Sequence, residues 1–209
     1  MFPSTPTTPP PKRYSDKYLI VGLGNPGREY GLNRHNVGFI LLDRLAERYG
    51  LPPFTKRQGQ ALTSDGTIAD APVVLVKPQT YMNLSGEAVG ALVRFYEIHR
   101  DRLLVCVDDI DLPVGVLRLR ARGTSGGQRG LQSVIDHVGT QAFPRVRIGI
   151  GHPTGHRAAE THVLQDMQGD ELEIISATVD KAVDAIETFI RGGIVLAMSR
   201  YNGPFDREG

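Results

Sequence analysis

The sequence predicts an α/β fold, a single-domain three-layer α/β/α sandwich around a twisted, mostly parallel mixed sheet. Short apolar and β-branched runs alternate with segments whose apolar residues recur at helical spacing, the pattern of repeated strand and helix units. Several of these runs end at Gly or Pro, as buried strands feeding loops do. One later run alternates apolar with basic residues, the mark of a half-exposed strand near a sheet edge.

Residues 18–22, Tyr-Leu-Ile-Val-Gly, make the first strand. Across 37–49, Ile40, Leu41, Leu42 and Leu45 recur at helical spacing, and Gly50 with Pro52 and Pro53 stops the helix. Residues 73–76 are a second buried strand, checked by Pro78. A polar loop over 79–85 leads to a helix carrying Val89, Leu92, Val93 and Tyr96, with Asn83 or Ser85 as its N-cap. Residues 103–107 are the third strand. The run Val116-Leu117-Arg118-Leu119-Arg120 puts its arginines on one face and is a candidate antiparallel strand. Gly123, Gly126, Gly127 and Gly130 crowd a loop before a helix over 131–138, and 146–150 returns as a strand ended by Gly151 and Pro153. A polar, His-containing stretch then leads to a long helix with Leu172, Ile175, Val179, Val183, Ile186 and Ile190 on one side.

With 209 residues the chain has room for one substantial core and is short for two. The expected organisation is a disordered Pro-rich tail over 1–17, a folded domain over 18–203 and a short C-terminal tail over 204–209. The tail's five prolines, Pro3, Pro6, Pro9, Pro10 and Pro11, sit among Ser and Thr, a composition that buries little and lacks the apolar stretch of a signal peptide. No apolar run approaches the roughly 20 residues a membrane span needs, so a soluble protein is expected. The formal charge of +1 confines any nucleic-acid role to a local basic patch. Cys106 stands alone in an apolar run, so no internal disulfide forms, and a reducing cytoplasm is the expected setting.

Three motifs invite misreading. Gly22-Leu23-Gly24-Asn25-Pro26-Gly27 matches the dinucleotide fingerprint and follows a strand, but Pro26 and the loop through Arg34 push the helix to about residue 37. Gly123-Thr124-Ser125-Gly126-Gly127 matches the nucleophile-elbow pattern, yet its strand is the arginine-bearing one, unlike a buried central strand. His152, His156 and His162 lack a completing ligand, and Pro153 and Gly155 argue against a helix, so they are expected to be solvated loop histidines with no metal. Arg34-His35-Asn36 differs because it lies in a loop after a strand, where parallel strand ends leave a ligand crevice. Asp108-Asp109 ends the third strand on the same sheet edge. A carboxylate there can hold one imidazole nitrogen and leave the other free to take a proton from water.

Taken together, these segments resemble bacterial-type peptidyl-tRNA hydrolases from about Tyr18 to Asn202. The carrying residues are Gly22–Gly27 with Tyr30, Arg34-His35-Asn36-Val37-Gly38, the run from Lys77 to Gly86, the run from Asp108 to Pro113, and Arg147-Ile148-Gly149-Ile150-Gly151. The resemblance implies a monomer that cleaves the ester between a peptide and the tRNA 3′ end, without a cofactor. It implies His35 as the base, Asp108 as the group orienting it, and Asn25 and Asn83 as amides that position the peptide. Tyr30 and Tyr81 match aromatic positions near the acceptor end and its 3′ CCA. One stretch departs from the family: Gly127-Gln128-Arg129-Gly130 stands where Gly-His-Asn-Gly is usual. Arg129, with Arg118, Arg120 and Arg122, is expected to contribute phosphate contacts. An RNA-binding relative that has lost hydrolysis is the alternative to the enzyme; a nucleotide-binding or serine-hydrolase protein comes third.

Overall fold

The computed structural model describes residues 14–153 and 158–203. Strand β1 (Tyr18–Gly22) runs through 3-10 turns at Arg28–Tyr30 and Arg34–Asn36 into α1 (Val37–Arg48). Strands β2 (Lys56–Gln58), β3 (Ala61–Ile68) and β4 (Ala71–Pro78) follow, then a 3-10 turn at Met82–Leu84 and α2 (Ser85–Phe95). Next come β5 (Leu103–Asp109), β6 (Leu117–Arg120), α3 (Arg129–Val138) and β7 (Arg145–Gly149). A short α4 (Ala159–Val163) precedes α5 (Gly169–Tyr201), which is broken by a kink at Gly193 with φ 81°.

The sheet order is β2-β3-β4-β1-β5-β7-β6. The four central strands are parallel, while β2 and β3 at one end and β6 at the other pair antiparallel. Successive side chains along each strand point to opposite faces, and the central strands are buried on both. Ile20, Leu75, Leu104, Cys106, Leu119 and Ile148 face α1 and α5, whereas Leu19, Val21, Val76, Val105 and Val107 face α2 and α3. Each such aliphatic side chain contributes about 1.5–3 kcal/mol on burial, so these two layers dominate stability. The β6 edge is closed by Asn202, whose amide bonds to the backbone N–H and C=O of Leu119 at 2.7 and 3.0 Å, as a neighbouring strand would.

Two glycines set the sheet edge at which residues 35 and 108 meet. A Cβ on Gly22 would lie 2.2 Å from the carbonyl oxygen of Gly38, and one on Gly38 would lie 2.6 Å from that of Cys106. The first turn of α1 is thereby seated on the ends of β1 and β5, which puts residue 35 beside residue 108. Gly22 and Gly24 of the 22–27 motif serve this packing, and α1 begins at Val37, as the sequence predicts.

Elsewhere the structure corrects the sequence reading. The hairpin of β2 and β3 was not expected, because β3 is rich in Thr, Ser, Asp and Gly; Thr63 and Ser64 are nevertheless buried. Its turn into β4 uses Ala69 and Asp70 at φ 52° and 64°, without the Asn-Gly signal that announces such a turn. Neither Asn83 nor Ser85 caps α2: the N-cap is Leu84 with no side-chain bond, and the Ser85 hydroxyl donates back to the Met82 carbonyl instead. His162 is not a solvated loop residue. It is buried on α4, its Nε2 3.3 Å from the Ile150 carbonyl oxygen, whereas His152 is exposed beside Asp111 and His156 lies outside the described residues. Of the two tails, 1–13 and 204–209 lie outside the described residues. Tyr14 to Lys17 touch the domain, with Ser15 N–H donating to Glu97 at 3.0 Å and the Tyr14 ring against His99.

Candidate active site

At the carboxyl ends of β1, β4 and β5 lies a cleft of about 530 Å³ lined by Asn25, His35, Tyr81, Asn83 and Asp108 among others. His35 Nδ1 is 2.8 Å from Asp108 Oδ2, with the carboxylate 3% and the imidazole 14% exposed. A carboxylate is an acceptor, so the neutral imidazole carries its proton on Nδ1, and Nε2 is left with a lone pair. Of the two adjacent carboxylates at the end of β5, only Asp108 does this. Asp109 accepts from Arg147 at 2.9 Å and from the backbone N–H of Asp111 at 2.9 Å, a turn-forming role.

Asn25 is held from three sides. Its backbone N–H donates to Asn36 Oδ1 at 2.8 Å, its carbonyl accepts from Asn36 Nδ2 at 2.9 Å, and its own Oδ1 accepts from the Met82 N–H at 2.9 Å. The last bond fixes the amide's orientation and leaves Nδ2 as the donor offered to the cleft. Tyr81 is 64% exposed at the rim, and Asn83 is exposed on the turn beside it. Tyr30, also singled out from the sequence, is partly buried on its own turn and does not line the cleft.

Several contributors escaped the sequence reading. Arg34 clamps the turn that carries His35: Nε and Nη2 donate to Glu171 at 2.6 Å each, and Nη1 reaches the carbonyls of His162 and Gln165 at 3.2 and 3.3 Å. Gln128 donates to Asp108 Oδ1 at 3.0 Å. The far wall is α4 and its flank, with Glu160 paired to Arg129, each 71% exposed. Gln128 and Arg34 stand in stretches that the sequence singled out, but nothing in their spacing announces what they bond to. Their partners are 20 and 137 residues away in sequence.

A second, smaller cavity of about 270 Å³ lies behind Asn25, with Lys77 in its wall. Burial pushes the Lys77 ammonium below its ordinary range, opposed by its pairing with Asp43. Its Nζ also sits 4.3 Å from the centre of the Phe54 ring. Among the described residues, no three His, Cys, Asp or Glu side chains converge as a metal site would require.

Fold and cleft together define an α/β protein with a carboxylate-oriented imidazole and a fixed amide donor, which is equipment for general-base hydrolysis. The chain belongs to the family described as peptidyl-tRNA hydrolase, whose profile it matches over residues 19–208. It is 47% identical over 184 residues to a peptidyl-tRNA hydrolase of Desulforamulus reducens, covering 88% of each chain. To one of Chloroflexus aurantiacus it is 47% identical over 186 residues, covering 88% of this chain and 98% of the other. The crystal structure of peptidyl-tRNA hydrolase from Acinetobacter baumannii superposes with a TM-score of 0.84 at 36% identity, covering 92% of this chain and 97% of that one.

Proposed function

We propose that this protein hydrolyses the ester bond joining a peptide, or an N-blocked amino acid, to the 3′ end of tRNA, with His35 as general base and Asp108 orienting it. The observation that carries this reading is the 2.8 Å contact between His35 Nδ1 and Asp108 Oδ2 in an open cleft. Nε2 removes a proton from water as the water attacks the ester carbonyl. Asn25 Nδ2 holds the carbonyl oxygen while charge develops there. The imidazolium, stabilised by Asp108, returns the proton to the departing ribose oxygen. An ester leaves readily compared with an amide, so a base and a few oriented donors suffice, and the steps as written call on no cofactor.

Asn83 and Asn25 position the peptide, and exposed Tyr81 offers a ring for an unpaired base at the 3′ CCA. Tyr30, on the neighbouring turn, faces nucleotides further from the ester. Arg129 at the cleft, with Arg118 and Arg120 on β6 and Arg122 beyond it, contacts tRNA phosphates. On the sheet, Arg118 and Arg120 stand opposite Arg147 and Arg145, of which Arg145 is buried against backbone carbonyls and Arg147 is paired with Asp109, so the contact surface rests on the β6 arginines, Arg122 and Arg129. Reversing the charge of Arg118 and Arg120 should flatten the salt dependence of tRNA binding; an unchanged slope would remove that contact surface from the proposal. The protein acts as a monomer in the cytoplasm. In keeping with a reducing compartment, Cys106 is a free, fully buried thiol whose ionisation burial pushes up. Among the described residues no helix is long and apolar enough to cross a membrane.

The test is release of deacylated tRNA from N-acetyl-aminoacyl-tRNA by the purified protein, with a chelator present and unblocked aminoacyl-tRNA as control. Fast release from the blocked substrate alone is expected. Binding of the tRNA without release would instead mark an RNA-binding protein that has lost hydrolysis.

A further inference from the structure

Gln128 lies in the cleft, yet it takes no direct part in the proton transfers. Its side chain spans two structures. Oε1 accepts from the backbone N–H of Leu131 at 2.6 Å, which makes Gln128 the N-cap of α3, while Nε2 donates to Asp108 Oδ1 at 3.0 Å and lies 3.3 Å from Met82 Sδ. The amide's orientation follows from chemistry. Turned the other way, it would set an oxygen against a carboxylate and an NH₂ group against a backbone N–H. Space for the arrangement comes from Gly130, where a Cβ would lie 2.3 Å from Met82 Sδ.

The two oxygens of buried Asp108 are thus divided, Oδ2 to His35 and Oδ1 to Gln128. A carboxylate with one partner turns about its Cβ–Cγ bond; one with two is fixed in plane. We propose that Gln128 is a positioning residue for hydrolysis: the helix cap anchors its amide, the amide pins Asp108, and Asp108 in turn aims the His35 imidazole. The proposal rests on the general-base reading of His35. Gln128 carries no titratable group, so its amide remains a donor at every pH. The other charged groups around the cleft are paired among themselves: Asp109 with Arg147, Asp111 with His152, Arg129 with Glu160, and Arg34 with Glu171.

Two variants separate positioning from capping. Gln128→Met removes the donor and the helix cap together and adds no charge. Gln128→Glu keeps an acceptor for the Leu131 N–H at a helix N-terminus that favours negative charge, but turns an oxygen toward Asp108. Losing a hydrogen bond to a charged group should lower kcat by about ten- to a hundredfold in Gln128→Met, with KM unchanged. In Gln128→Glu the cap is kept but a second carboxylate faces buried Asp108, so the melting temperature should fall at neutral pH, while kcat falls and the acid limb of kcat/KM moves up by roughly one pH unit, because added negative charge favours a protonated imidazole.

Wild-type kcat in folded Gln128→Met overturns the proposal. If that variant does not fold, wild-type kcat and an unmoved acid limb in Gln128→Glu overturn it instead. His35→Ala distinguishes the two possible failures. Full activity there removes the general-base reading itself, whereas an inactive His35→Ala beside a fully active Gln128→Met removes only the positioning role.

Discussion

On the inner wall of the cleft, Asn25 and Asp108 are each less than a tenth exposed; Asn25 is bonded to buried Asn36 behind it and Asp108 to His35, at 2.8 to 2.9 Å. On the outer wall, Arg129 and Glu160 meet with each 71% exposed, and Leu164 is 47% exposed. Hydrogen bonds in a dry setting are costly to break, because a stranded partner finds no water. An ion pair in solvent contributes about 0–1 kcal/mol and weakens with salt. The inner wall is therefore built to keep geometry and the outer wall to change partners. Chemistry should fail when the first is altered, and binding should shift when the second is.

Among changes that spare His35 and Gln128, the largest effect is expected from Asp108→Asn. It keeps the shape but removes the charge that stabilises the imidazolium, and losing that charge-assisted bond should cost about 10- to 100-fold in kcat. Steady-state kinetics on blocked aminoacyl-tRNA checks it; an effect confined to KM would move Asp108 from chemistry to binding. Next comes Arg34→Ala, because Arg34 touches both walls, and its loss strands the partly buried Glu171. Denaturant unfolding should report a stability loss on the order of 3 kcal/mol, accompanied by a lower kcat as the base-bearing turn loosens. Stability loss at unchanged kcat would show that the walls are not coupled through this residue.

Glu160→Gln should change stability by less than about 0.5 kcal/mol and leave kcat alone, while KM for tRNA substrates falls at low salt as Arg129 is released to phosphate. A matching fall in kcat would place the outer wall inside the chemistry. The smallest effect lies far from the cleft. Burial and the hydrogen bond to Glu187 push the Tyr49 phenol up to about 12 from 10.0. The stability this gives is present in full below about pH 10 and is lost as pH rises from there toward 12. Tyr49→Phe should therefore show a shallower alkaline decline than wild type in parallel melts; identical slopes would contradict the assignment.

The same contrast explains what the sequence made legible. The inner wall is written in contiguous motifs at strand ends, and the parallel core strands are continuous apolar runs, so the three-layer sandwich, α1, α3, the β6 edge and the pairing of His35 with Asp108 could all be read. The outer wall is a five-residue helix, Ala-Glu-Thr-His-Val, with one apolar anchor in Val163, too short for periodicity to register. The hairpin of β2 and β3 was hidden for a related reason: its buried positions include Thr63 and Ser64, whose hydroxyls bond to the carbonyls of Lys56 and Pro52 instead of carrying an apolar signal. Contacts such as Gln128 to Asp108 join residues whose types are common and whose spacing means nothing until the sheet has formed. Tyr30 shows the converse, a residue marked by its motif that the fold sets outside the cleft lining.

The most direct test of the account is single-turnover release of tRNA from N-acetyl-aminoacyl-tRNA by wild type and His35→Ala, with substrate binding measured in parallel. The inner-wall account predicts equal binding, an unchanged melting temperature and a release rate lower by about 10²–10⁴ in the variant. Release by His35→Ala at the wild-type rate would contradict it.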